Sequence, residues 1–179
     1  MDTKNIVYTA IFIALGIVLP ISFHYLGTGL GAIFLPMHIP VLLGGALLGP
    51  LAGIIIGAIT PVLSSVFTGM PPLIPMVPIM FLELALYGFF IGYLYRTINI
   101  NLYVSLILTM IAGRIGSGIM VWVLVNIFSI SKLPGNPLLF IWGSIVKGLP
   151  GIAIQLILIP LVLKYLYNYQ GLNPVNENV

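Results

Sequence analysis

Long apolar runs, cut by proline and glycine, dominate the chain. From Ile6 to Phe23, and in five later stretches, apolar residues follow one another without the alternation a transmembrane β-strand requires. The punctuation predicts six helices at about residues 4–23, 36–48, 51–67, 75–96, 101–128 and 138–168. Pro20 is expected to kink the last turn of the first helix and Pro61 to interrupt the third. Gly49-Pro50 reads as a tight break. Gly, Pro and polar residues gather at 24–35, 68–74 and 129–137, whereas the connections at 49–50 and 97–100 are minimal. The first run is too long for a signal-peptide core and lacks a small-x-small cleavage site, so it reads as a retained helix. The tail from Gly171 is polar and is expected to fray.

Composition turns this pattern into a class. Of 179 residues, 60% are hydrophobic and 5% charged, with a mean hydropathy of +1.22. Soluble domains carry roughly 25% charged residues. Six cations and three carboxylates cannot coat a globule of this size. The fold class is therefore an all-α integral membrane protein, one membrane domain over residues 1–179. Lys4, Arg96 and Lys164 fall at one set of helix ends and Lys132 at the other. That imbalance places both termini in the cytoplasm, leaves the elaborate loops outside, and puts a capture site near the extracellular face.

The chemistry available is sparse. Cysteine is absent, the only acids are Asp2, Glu83 and Glu177, and the only histidines are His24 and His38. A membrane aspartyl protease or a metal-dependent transferase needs at least two intramembrane acids, and a zinc site needs more ligands than these. No phosphate-binding G-x-x-x-x-G-K-[ST] loop exists. The reading is not an enzyme, with no cofactor, no metal and no nucleic-acid partner.

Three ionisable residues fall inside spans: Glu83, Arg114 and Lys147. Each costs at least ~2.5–3.5 kcal/mol at the bilayer centre unless paired or wet. At the helical rise, Glu83 and Lys147 lie roughly 10–12 Å below the outer ends of their helices, with Arg114 near mid-membrane. One reading is a structural network in which Glu83 neutralises Arg114 or Lys147. The other notes that one acid against two bases leaves a positive charge, which an anionic solute would balance unless Lys147 is deprotonated by desolvation. Tyr87 lies one turn from Glu83. Ser117, Trp122 and Asn126 lie outward of Arg114, while Trp142, Ser144 and Gln155 belong to the sixth helix. Together with His38 these suit an aromatic-walled pocket with a few polar groups. The plainer alternatives are an interfacial belt for the tryptophans, core packing for Tyr87, a loop contact for His38 and a neighbouring helix for Gln155.

Small residues recur at four-residue spacing as Ala10-x-x-x-Ala14 and Gly53-x-x-x-Gly57. Such pairs let helices approach closely, either within the bundle or at a docking face for another subunit.

The run Phe34-Leu35-Pro36-Met37-His38-Ile39-Pro40-Val41-Leu42-Leu43 is followed by Gly49-Pro50 and Ser64-Ser65-x-x-Thr68-Gly69-Met70-Pro71-Pro72. With Glu83-Leu84-x-x-Tyr87-Gly88 and Ala112-Gly113-Arg114, this resembles the substrate-binding S components of energy-coupling factor (ECF) vitamin transporters. The resemblance spans about residues 3–168. It implies six helices, a ligand held near the outer face by the last three helices and the outer loops, and ATP-driven uptake through a T component and two ATPase subunits. It also implies that Ala10 and Ala14 dock on the T component in a prokaryotic cell membrane. Glu83, Tyr87, Arg114 and Lys147 carry over as pocket candidates. Among family ligands, surplus positive charge ranks pantothenate first, with a cobalamin precursor such as a ribazole second. A stand-alone secondary carrier is the alternative, though the halves show no evident repeat. An intramembrane enzyme using Glu83 is a further one.

Overall fold

The computed structural model describes residues 2–27, 29–130, 133 and 136–170. Lys132, on which one side of the charge imbalance rests, lies outside them, as do Pro134, Gly135 and the tail from Gly171. The described chain is helical throughout: α1 (Thr3–Leu26), α2 (Leu30–Phe34), α3 (His38–Leu48), α4 (Pro50–Thr68), α5 (Met76–Ile91), α6 (Leu102–Asn126) and α7 (Pro137–Gln170). A π-helical turn, Gly92–Thr97, extends α5. Six segments are long and apolar enough to cross a membrane, with α2 and α3 together forming the second.

Two expectations change. The stretch read as a Gly-rich loop before residue 36 contains a helical turn, α2. Pro61 does not interrupt its helix: α4 runs through it. Thr60 beside it donates its hydroxyl to the Ile56 carbonyl (2.6 Å), tying the backbone of the turn before the proline. The break between α3 and α4 falls where the glycine-proline pair predicts it. Gly49 has φ +98°, a conformation that strains any residue with a side chain, and Pro50 opens α4 where its missing N–H costs nothing.

The bundle buries an apolar core that includes Leu84, Ile91, Leu106 and Ile159, together with many small and polar residues, and turns other large apolar residues outward. On α6, Ser105, Thr109, Gly113, Arg114, Gly116 and Ser117 are buried, while Ile107, Leu108, Ile111, Ile115, Ile119 and Trp122 are exposed to the lipid side. In lipid, burying a leucine gains little, so close backbone approach decides which faces meet. The closest such approach joins α4 to α5. A Cβ on Gly53 would collide with the Gly88 backbone, and one on Gly57 with the Leu84 carbonyl. The Gly53-x-x-x-Gly57 pair is therefore an internal seam and not a docking face. α5 packs on α6 in turn, and α1 lies against α3 and α4 at the margin. Only 17% of the apolar window of α1 is buried, against 61% for Leu30–Leu48.

Gly53→Leu or Gly57→Leu must push α4 off α5, and loss of monodisperse protein in detergent is the expected outcome. Gly143→Ala, where an added Cβ meets nothing within 4 Å, should leave the melting temperature unchanged or slightly raised. Thermal melts followed by size-exclusion chromatography check both.

Candidate solute-binding site

Polar side chains from three helices converge near the middle of the bundle. α5 turns Glu83 and, one turn on, Tyr87 to its buried face. α6 contributes Arg114, and α3 begins with His38. The Arg114 Nη1 donates to Glu83 Oε1 at 2.8 Å, with both residues less than a tenth exposed. His38 Nε2 lies 3.6 Å from the same oxygen, an electrostatic contact too long for a hydrogen bond. The His38 ring meets the Tyr87 ring edge-on, centroids 5.0 Å apart. Gly113 permits this packing, because a Cβ there would strike the Tyr87 ring.

The pairing is incomplete. Arg114 Nε and Nη2 and both His38 ring nitrogens are buried and have no hydrogen-bond partner among the described residues. Leaving such groups unsatisfied costs roughly 1–3 kcal/mol each, and more for a charge. The uncommitted edge of Arg114 faces α7. A Cβ on Gly148 would sit 3.4 Å from Nη2 and 3.0 Å from Leu35 Cδ1. One turn further, Gly151 lies against the backbone carbonyls of Ile33 and Phe34. Two glycines on one face of α7 thus let the end of α2 close over the guanidinium. The sequence reading missed Gly148 and Gly151. The signal was their three-residue spacing, one residue beyond Lys147.

The other candidates do not join this centre. Lys147 is exposed on α7 and makes no ion pair among the described residues. The charge surplus argued from sequence therefore does not exist at the centre, where Glu83 already meets Arg114. The physical reason is helix rotation: Gly148 takes the inward position and turns its neighbour away. Trp122 and Trp142 are 52% and 66% exposed, as in an interfacial belt. Asn126 is exposed and donates to the Trp122 carbonyl. Ser117 is buried beside Arg114, but its hydroxyl donates to the Arg114 carbonyl. Gln155, weighed as a pocket group or as a contact to a neighbouring helix, is fully buried, and its amide has no hydrogen-bond partner among the described residues. Ala10 and Ala14 are exposed on α1. An open groove of about 720 Å³, lined by Tyr103, Leu156, Ile157, Pro160, Leu161 and Lys164, lies toward the other end of α7 and away from the centre.

A family model described as the ECF transporter substrate-specific component matches residues 4–163. The chain belongs to that family. Neither the curated proteins nor the solved structures gave a match. An ECF substrate-specific component is a multi-pass membrane subunit that confers transport specificity and does not catalyse; such components work with T and ATPase subunits.

Removing one partner of a buried ion pair strands the other charge, at a cost of about 3–5 kcal/mol. Glu83→Met should therefore lower the thermal stability of this S component sharply. The double variant Glu83→Met/Arg114→Met should recover much of the loss, measured as a thermodynamic cycle of detergent melts.

Proposed function

We propose that this S component is the high-affinity binding subunit of an ATP-driven importer that captures a vitamin or vitamin precursor at the Arg114 centre. Pantothenate ranks first and a cobalamin precursor such as a ribazole second. One observation carries the reading: a buried guanidinium that spends one nitrogen on Glu83 and keeps its Nε–Nη2 edge free. That edge is two parallel donors with the spacing of a carboxylate or phosphate, the strongest neutral-pH acceptors a small solute offers. These idle donors, and not a surplus of charge, favour an acid. Pantothenate has one carboxylate, an amide and two hydroxyls, so it supplies acceptors for Arg114 and partners for His38. A ribazole would use its ring and hydroxyls against His38, Tyr87 and Glu83.

The rest of the proposal concerns placement and partners. Lys4, Arg96 and Lys164 sit at the helix ends on one side, which favours that side as cytoplasmic in a prokaryotic cell membrane. The solute then enters from the extracellular side, beneath α2 and the α4–α5 loop. The T component docks on α1, whose Ala10 and Ala14 lie on a face left exposed among the described residues. Two ATPase subunits supply the energy for release.

Isothermal titration of the detergent-purified protein with pantothenate should show stoichiometric binding without nucleotide or metal. Arg114→Lys keeps the charge but loses the paired donors, and should weaken binding by roughly tenfold to hundredfold. Binding equal to wild type would sink the Arg114 assignment. Ala10→Leu with Ala14→Leu should abolish co-purification with T and ATPase subunits while sparing pantothenate affinity. Equal loss of both, or of neither, would refute the docking face.

A further inference from the structure

Gln155 is a buried polar side chain that the Arg114 centre does not account for. It is fully buried, and both its amide nitrogen and its carbonyl oxygen are without a hydrogen-bond partner. A glutamine that merely bridged two helices would show at least one bond, and an idle position in this bundle would be leucine at no cost. Its place on α7 is specific. Residues 148, 151 and 155 share one face, and the first two are the glycines that admit α2 over the free edge of Arg114. Along the axis Gln155 lies about 10 Å from Gly148, and helical side chains lean toward the helix N-terminus, here toward Arg114. Its immediate neighbours on α7, Ile152, Leu156 and Ile159, belong to the apolar core with Met37 and Val41. Those three α7 side chains offer no partner for an amide.

We infer that Gln155 is the second recognition point of the solute site, reading a neutral group that both donates and accepts. The inference rests on the Arg114 reading and narrows its substrate class. The solute carries an anionic group for Arg114 and, displaced from it by about two turns along α7, an amide or an equivalent donor–acceptor edge for Gln155. A simple carboxylate with an apolar tail does not fit. Such a tail would leave the glutamine amide unpaired in the loaded state, and discrimination by unpaired buried groups is severe.

The test exploits opposite signs. In ligand-free protein, Gln155→Met and Gln155→Leu remove two unsatisfied polar atoms, so the melting temperature should rise by a few degrees. The same variants should bind pantothenate about tenfold to hundredfold more weakly in titration calorimetry. A lowered melting temperature, or unchanged affinity, overturns the inference: Gln155 would then be held by the protein or by water. Arg114→Lys separates the two levels. If it binds pantothenate normally, the site reading itself fails. If it is weakened and the Gln155 variants are not, only the present inference fails. Should wild type not bind pantothenate, native mass spectrometry of the solute retained from cells decides. An acid bearing an amide-type group supports the inference and an acid without one overturns it. If no solute is retained, the sign of the melting shift decides.

Discussion

One carboxylate governs the interior of this protein. Glu83 is the only acid within a span, and without it the Arg114 guanidinium has no anion anywhere in the bundle. Insertion of either charge alone is expensive, so the two must meet, and their meeting brings α5 against α6 at a definite rotation. His38 and Tyr87 are drawn to the same point, which fixes where α3 begins. The pair is lopsided, with one guanidinium nitrogen engaged and two idle. It holds the helices together and still leaves donors over.

Around that pair the helices are held by absence of side chains. Gly53, Gly57 and Gly88 let α4 and α5 touch backbone to backbone, and Gly113 makes room for the Tyr87 ring. Gly148 and Gly151 do the same for α2 against α7. Because lipid rewards no apolar burial, such contacts supply packing that a soluble protein would draw from its hydrophobic core. The consequence is a division of labour. The α4–α5 seam is tight and carries no polar group of the site, while the α2–α7 seam is the one that covers it. α1, mostly uncovered, packs on α3 and α4, touches α2, and among the described residues does not pack on α7.

A substrate-specific component has to hold a small solute firmly and give it up to a machine it does not itself contain. A centre that is partly satisfied by its own protein suits that task. Glu83 keeps Arg114 from being a naked buried charge when the site is empty, so the empty subunit can exist in the membrane. On the proposed reading, the spare donors leave affinity in reserve for a solute that brings its own acceptors. On the same reading, Gln155 adds a neutral group to that site.

Much was legible from residues alone. Continuous apolarity set the six spans, the scarcity of acids removed most enzymes, and the run from Phe34 to Tyr87 carried the family. Glu83, Arg114, His38 and Tyr87 were singled out because ionisable and hydrogen-bonding groups at membrane depth are costly wherever they point. What only the tertiary structure decided was rotation. In a soluble helix the polar face announces which side is out, but a helix that is apolar all round has no such asymmetry. Lys147, Trp122 and Trp142 could therefore be assigned a depth but not a direction, and they point away. Gly53 and Gly57 could be recognised as a contact but not matched to α5, and Gln155 could be read as polar but not as unpaired. Depth follows from counting residues along one chain; direction follows from which backbones come close enough to touch, and that belongs to the assembled bundle.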